Sequence, residues 1–167
     1  KEHWNKIFEN YNKSKYFDEY ADGIKNIIYT KWENIVELNI SLIKEILRIL
    51  KIEKQIVLSS KLGVEGEGLE KIINIIKAVN ADEYFTGTGK GSSRYVIGNE
   101  SNFEKNNIKI KFQKFIHPSY SQLFENFVPN LSIIDTIFNM GPEVTLKKMR
   151  ESGMNKEKIW KYLLQGH

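Results

Sequence analysis

The chain has 167 residues, of which 41% are hydrophobic, 12% aromatic and 28% charged, an ordinary balance for a folded protein. It has no cysteine, which excludes a disulfide framework, thiolate catalysis and Cys-ligated metal centres. Its net charge of +4 comes from 22 Lys against only 3 Arg, beside 23 Ile and 16 Asn, so the lysine reads as AT-rich coding rather than a nucleic-acid surface, which would favour Arg.

The apolar runs are short and interrupted by Lys, Glu or Asn, so no membrane span is expected. No secretory signal opens the chain, and a cytoplasmic protein is the simplest expectation. The organisation expected is a helical segment over 1–54, an α/β core over 55–153 and a C-terminal helix over 154–167, folding as one domain.

In chain order, His3 to Tyr11 is a short amphipathic helix led by Trp4, Ile7 and Phe8. Ser14 is a candidate cap for a second helix from about Tyr16 to Tyr29. Trp32 to Leu50 is the strongest helix. Its Ile35, Leu38, Leu42, Ile46 and Ile49 recur at spacings of three and four, and Ile43, Leu47 and Leu50 widen that face enough to predict good burial. Gln55 to Ser60 is a short apolar run with polar bounds, which predicts a buried strand. Gly63, Gly66 and Gly68 make a loop, and Leu69 to Asn80 is helical. Glu83 to Thr86 is a second strand, running into Gly87-Thr88-Gly89-Lys90-Gly91-Ser92-Ser93. Lys109 to Phe115 alternates strictly, predicting a third strand with one wet face. From Leu131 the chain is helical, with a stop at Gly141 and a restart at Pro142. A last helix is expected from about Asn155 to Leu164. The fold class is therefore α/β: a small, mostly parallel sheet of about three strands with flanking helices and a helical N-terminal segment.

In open α/β sheets ligands bind at the carboxyl ends of strands. The three predicted strands end in Ser59-Ser60, Thr86-Gly87 and the stretch leading to His117-Pro118, so parallel strands would converge these on one edge. The Gly87–Ser93 stretch is the candidate anion cradle, with Lys90 and Ser92 as added donors. It matches neither the P-loop nor the dinucleotide glycine spacing. His117, the only interior histidine, is a candidate general base, since imidazole as a class titrates near neutrality. It has no second ligand at helical spacing, so no metal site is expected. Asp135 lies among Ile133, Ile134, Ile137 and Phe138 and would need a partner if buried, with His117 or Lys90 as candidates. Asn130 or Ser132 can cap the helix that follows, and Asp135 stands three residues after Ser132. Ser132, His117 and Asp135 are triad residue types, but no nucleophile elbow surrounds Ser132. Asn139 has donors to spare for a ligand.

The pieces Trp4, Tyr16-Phe17, Val57-Leu58-Ser59-Ser60 and Tyr84-Phe85-Thr86-Gly87 stand in order with His117-Pro118-x-Tyr120, Phe127-x-Pro129-Asn130-Leu131-Ser132-Ile133-Ile134-Asp135 and Phe138-Asn139-x-Gly141-Pro142. In these the sequence resembles the WbqC-like family, from about Trp4 to Gly153. The resemblance implies that the chain is the C-terminal portion of a longer family chain, whose N-terminal Gln-Pro-Tyr-Phe-Pro-type motif is absent here. It further implies a role beside bacterial surface-polysaccharide (O-antigen) genes, as a glycyl- or acyl-group transferase acting on a nucleotide-linked or otherwise activated sugar. Under that expectation His117 and Asp135 are catalytic. Ser59, Ser60, Gly87, Lys90, Ser92, Tyr120, Asn130, Ser132 and Asn139 contact a sugar-related small molecule. The donor would be a nucleotide sugar or an acyl donor. The competing expectations are a non-catalytic nucleotide-sugar-binding or scaffold protein and, third, a nucleic-acid binder.

Overall fold

The computed structural model describes residues 2–113 and 115–152. The helix expected at 155–164 lies outside the described residues. The chain forms two compact units, Lys1–Lys54 with His117–Ser152, and Gln55–Ile116.

The first unit is helical: α1 (Glu2–Tyr11), α2 (Phe17–Tyr29) and α3 (Ile35–Ile49), joined later by the long C-terminal element. Its core gathers Trp4, Phe17, Ala21, Ile24, Ile49, Leu50, Ile137 and Phe138. Aromatic rings run through it, with Phe17 edge-on to Phe138 at 5.1 Å between centroids and Tyr11 against Phe138 at 5.5 Å. Truncating a fully buried Phe such as Phe138 to Ala costs about 3–5 kcal/mol.

α3 starts three residues later than its apolar pattern suggests, because Asn34 is the cap: its side chain accepts from the Glu37 N–H at 3.0 Å. Its apolar stripe is less covered than expected. Ile49 is buried, but Ile35 and Ile43 are exposed, since a stripe's width does not say how much of it a neighbour reaches. Glu45 is the buried polar member of this helix. It lies over Gly23 of α2, where a Cβ would have no room, and Arg48 holds it bidentately at 2.7 and 2.8 Å. The Arg48 guanidinium keeps the Glu45 carboxyl below its usual range. Ser14 does not cap α2. It is buried, and its hydroxyl is turned to Asn139.

In the second unit, α4 (Gly68–Ala78) precedes β1 (Glu83–Gly87), then come the short helices α5 (Lys90–Ser93) and α6 (Glu100–Glu104), and β2 (Lys109–Gln113). β1 and β2 pair in parallel, in register from Glu83 with Lys109 to Gly87 with Gln113. A parallel pair needs a crossover, and α5 and α6 supply it. β2 keeps its alternation: Ile110 and Phe112 turn inward while Lys109, Lys111 and Gln113 face water. The core here is Ile73, Ile76, Val96, Phe103 and Ile108.

The sheet has two strands among the described residues, not about three. The difference is the run from Gln55, which joins no sheet there and leads into a single 3₁₀ turn at Ser59–Lys61. Ile56 and Val57 are exposed. A short apolar run reads as a buried strand only if a neighbouring strand takes up its backbone groups, and composition does not disclose that neighbour.

α7 (Ile133–Ser152) belongs to the first unit and is two helices joined at a kink. Gly141 sits at φ 77°, ψ 165°, a region open essentially only to glycine, and Pro142 restarts the helix. The stop-and-start expected from sequence is thus present as a kink.

Candidate functional site

Asp135, in the first turn of α7, is only 3% exposed. Burying a carboxylate without partners would cost several kcal/mol, so its bonds must be found nearby. Tyr120 donates its hydroxyl to Asp135 Oδ2 at 2.6 Å, and Gln122 Nε2 donates to the same oxygen at 3.0 Å. Asn139, one turn along α7, donates from Nδ2 to the Asp135 backbone oxygen at 2.8 Å and reaches Oδ1 at 3.3 Å. The Asn139 Oδ1 in turn accepts from the Ser14 hydroxyl at 3.2 Å. This carboxylate is therefore held by Tyr120, Gln122 and Asn139, with the Tyr11 phenol as a further hydrogen-bonding neighbour.

These bonds also shape the loop before α7. The Gln122 amide grips Val128 from both sides: Nε2 donates to the Val128 carbonyl at 2.9 Å, and the Val128 N–H donates to Gln122 Oε1 at 2.7 Å. One side chain thereby closes the 122–128 loop and ties it to Asp135. Lys148 Nζ adds a bond to the Ser119 carbonyl at 2.7 Å.

His117 is half-buried at the start of this loop. Its ring lies 5.8 Å from that of Tyr120 and 6.1 Å from Phe127, and Tyr120 and Phe127 meet edge-on at 5.5 Å. The imidazole is thus seated on the ring that Asp135 anchors. Burial, and then donation to Asp135, pushes the Tyr120 phenol up, so it stays a neutral donor. Burial, reinforced by the Asp135 carboxylate, pushes the Tyr11 phenol up as well. Two neutral phenols around one carboxylate make a site rich in fixed donors.

Of the expected site residues, the first unit brings His117, Tyr120, Asp135 and Asn139 into one bonded or ring-packed group. Asn130 and Ser132 are on the same loop and exposed; Asn130 takes φ 62°, and the Ser132 backbone oxygen accepts from the Asp135 N–H at 2.9 Å. Ser59, Ser60, Gly87, Lys90 and Ser92 belong to the second unit. There the Ser92 and Ser93 N–H groups both turn to the Gly89 carbonyl at 3.0 Å, and Thr86 donates to the Ser92 carbonyl at 2.9 Å. The glycine-rich stretch is therefore a short helical turn that uses these N–H groups internally. Lys90 and Ser92 are exposed on it.

Sequence reasoning missed Gln122, Ser14 and Tyr11 at the cluster. Gln122 carries no local signal, because its partner is six residues away across a loop. Tyr11 ends an amphipathic helix and could have been suspected from its ring alone. Among the described residues no group of three or more His, Asp or Glu is placed to hold a metal ion, and no helix is long and apolar enough to cross a membrane.

Comparison with known proteins adds a family. The WbqC-like protein family profile matches residues 1–146. The chain belongs to that family. The match spans both units and includes every member of the Asp135 cluster. Among curated relatives, the uncharacterized protein Rv1507c of Mycobacterium tuberculosis (strain ATCC 25618 / H37Rv) is 29% identical over 145 residues. The alignment covers 86% of this chain and 61% of that relative, so the chain spans about three fifths of the relative's length. No solved structure matches the chain.

Proposed function

We propose that this chain is a cytoplasmic transferase of bacterial surface-polysaccharide (O-antigen) assembly, moving a glycyl- or acyl-type group from an activated donor to a nucleotide-linked or otherwise activated sugar. Family membership is consistent with the reading. The observation that carries it is the half-buried His117 ring packed on Tyr120, whose hydroxyl is held at 2.6 Å by the buried Asp135. A general base must be held in place to work, and ring packing on an anchored Tyr120 supports that role for His117.

In this reading the acceptor's amine or hydroxyl attacks the donor's carbonyl carbon while His117 takes its proton. The carbonyl–leaving-group bond then breaks, and His117 returns the proton to the leaving group. One acyl bond is exchanged for another with no change of oxidation state. Asp135 is a positioning residue that acts through Tyr120. Tyr120, Asn130, Ser132 and Asn139 of the first unit are proposed substrate contacts beside His117, and Ser59, Ser60, Gly87, Lys90 and Ser92 are proposed substrate contacts of the second unit taken by itself.

The test is thermal shift of the full chain against nucleotide sugars, nucleotides, glycine, acyl-CoA and short DNA, followed by mass spectrometry of acceptor and donor together. A ligand at 100 times its Kd stabilises by about 2.7 kcal/mol, enough to move the midpoint by several degrees. The expected result is a shift with a sugar nucleotide and an acyl donor, an acylated product, and loss of product but not of fold in His117→Gln. Full turnover by His117→Gln, or no shift with any sugar nucleotide, overturns the reading. A non-catalytic nucleotide-sugar-binding or scaffold role is the second reading, supported by the exposed apolar side chains Leu123, Phe124, Phe127, Val128 and Leu131 on the same loop. It predicts the shift without the product.

A further inference from the structure

A cavity of about 450 Å³ opens in the first unit at the Gly141 kink, and it shares no lining residue with the Asp135 cluster. That volume lies within the range of small-molecule pockets, roughly 300–1,000 Å³. Its inner wall includes Leu50, a core residue only 3% exposed. Tyr20 supplies aromatic surface, whereas the Tyr16 ring is already covered by Lys15, whose Nζ stands 5.1 Å from its centroid; Glu19, Glu143 and Lys51 supply the charge.

The kink keeps one corner of the cavity free of side chain. A Cβ on Gly141 would stand 2.9 Å from Tyr16 Cζ and 3.0 Å from Cε1, so the Tyr16 ring lies directly against bare backbone. The balance of charge at the lining is one negative, two carboxylates against one ammonium, on a chain whose net charge is +4. Tyr20 has already committed its hydroxyl, which donates to Glu19 Oε1 at 2.6 Å. That bond pushes the Tyr20 phenol up to about 12, so it does not become an anion near neutral pH. A carboxylate accepts several hydrogen bonds, so Glu19 keeps capacity beyond this one. The cavity therefore offers acceptors and the Tyr20 ring, and a ligand must bring donors and positive charge.

An anion fits less well. The kink is a helix start, which would favour one, but Pro142 has no N–H to give. Glu143 in the same turn already answers the helix dipole. Lys51 is left as the single cation at the lining.

The geometry points to a binding site for a small ring-bearing molecule with an ammonium group, an amino sugar in chemical class, its ring against Tyr20 and its ammonium met by Glu19 and Glu143. Cation–π attraction from the Tyr20 ring adds to the carboxylate pairing. This inference rests on the cavity alone and stands or falls apart from the transfer reaction.

The experiment is a titration of the ¹⁵N-labelled full chain, followed by amide NMR, with glucosamine, glucose, N-acetylglucosamine and inorganic phosphate as separate probes. Glucosamine is expected to shift the amides around Gly141 saturably, with glucose and N-acetylglucosamine at least about fivefold weaker. Glu19→Gln with Glu143→Gln, both exposed side chains whose replacement leaves the core intact, is expected to weaken glucosamine about tenfold. No saturable shift with glucosamine, equal shifts with glucose, or unchanged affinity in the double variant overturns the proposal. Saturation by phosphate at these amides and not by glucosamine also overturns it and assigns the cavity to an anion.

Discussion

Replacing Tyr120 by Phe removes one oxygen and keeps the ring, so it isolates the bond to Asp135. The ring contacts to His117 and Phe127 survive the change. What is lost is a 2.6 Å donation to a carboxylate that is 3% exposed. A hydrogen bond to a charged acceptor contributes about 1.5–3 kcal/mol net. Gln122 still donates to the same oxygen at 3.0 Å, so the acceptor is not orphaned and the lower half of that range applies. The expected loss is therefore about 1.5–2 kcal/mol. In a chain of this size that corresponds to a fall of very roughly 3–8 °C in the unfolding midpoint. Asp135→Ala should cost more, about 3–5 kcal/mol, because it takes the acceptor from the Tyr120 hydroxyl and one bond each from the Gln122 and Asn139 amides, which keep only their backbone acceptors. Urea unfolding followed by circular dichroism measures both. If Tyr120→Phe lies within about 0.5 kcal/mol of the parent, the ordinary range of a surface change, Asp135 is not the anchor described above.

Other consequences concern separate elements. Gly141→Ala places a Cβ 2.9 Å from the Tyr16 ring at φ 77°, so it should destabilise by about 2 kcal/mol or more, read in the same urea titration; a neutral result would mean the kink is not held. Gln122→Ala releases the two bonds to Val128 and should make the 122–128 loop the first site of limited proteolysis, with global stability changed by less than in Asp135→Ala. Tyr20 has its phenol raised from 10.0 to about 12, chiefly by the bond to Glu19. A raised folded-state value means this contribution is complete below pH 10 and is lost as pH climbs towards about 12. Beside the raised Tyr11 and Tyr120 phenols, ultraviolet titration should show a late phenol that disappears in Tyr20→Phe and moves back towards 10.0 in Glu19→Gln; an unchanged titration in Glu19→Gln would refute the assigned cause.

The elements that were legible are those whose signal is local. The threefold and fourfold spacing of α3, the alternation of β2 and the Gly141-Pro142 pair each state a backbone geometry within a few residues, and each is found. The Gln55 run fails for the opposite reason: being a strand is a property of a pair, and its apolar residues name no partner. The site divides along the same line. An aspartate set among isoleucines announces that a partner is required, but the chemistry admits a histidine, a lysine, a phenol or an amide equally. Tyr120, Gln122 and Asn139 fill the role because the loop closes on itself, and that closure is made by Gln122, a residue with no periodicity or motif around it. The same closure seats His117 on the Tyr120 ring, although no sequence spacing links the imidazole to Asp135 by a bond. It follows that the decisive variants for the proposed reaction lie one step away from the base. Tyr120→Phe leaves the tilted ring contact and loosens its anchor, so a base positioned through that ring should lose rate in a variant that stays folded, whereas a merely structural tyrosine would lose stability and nothing else.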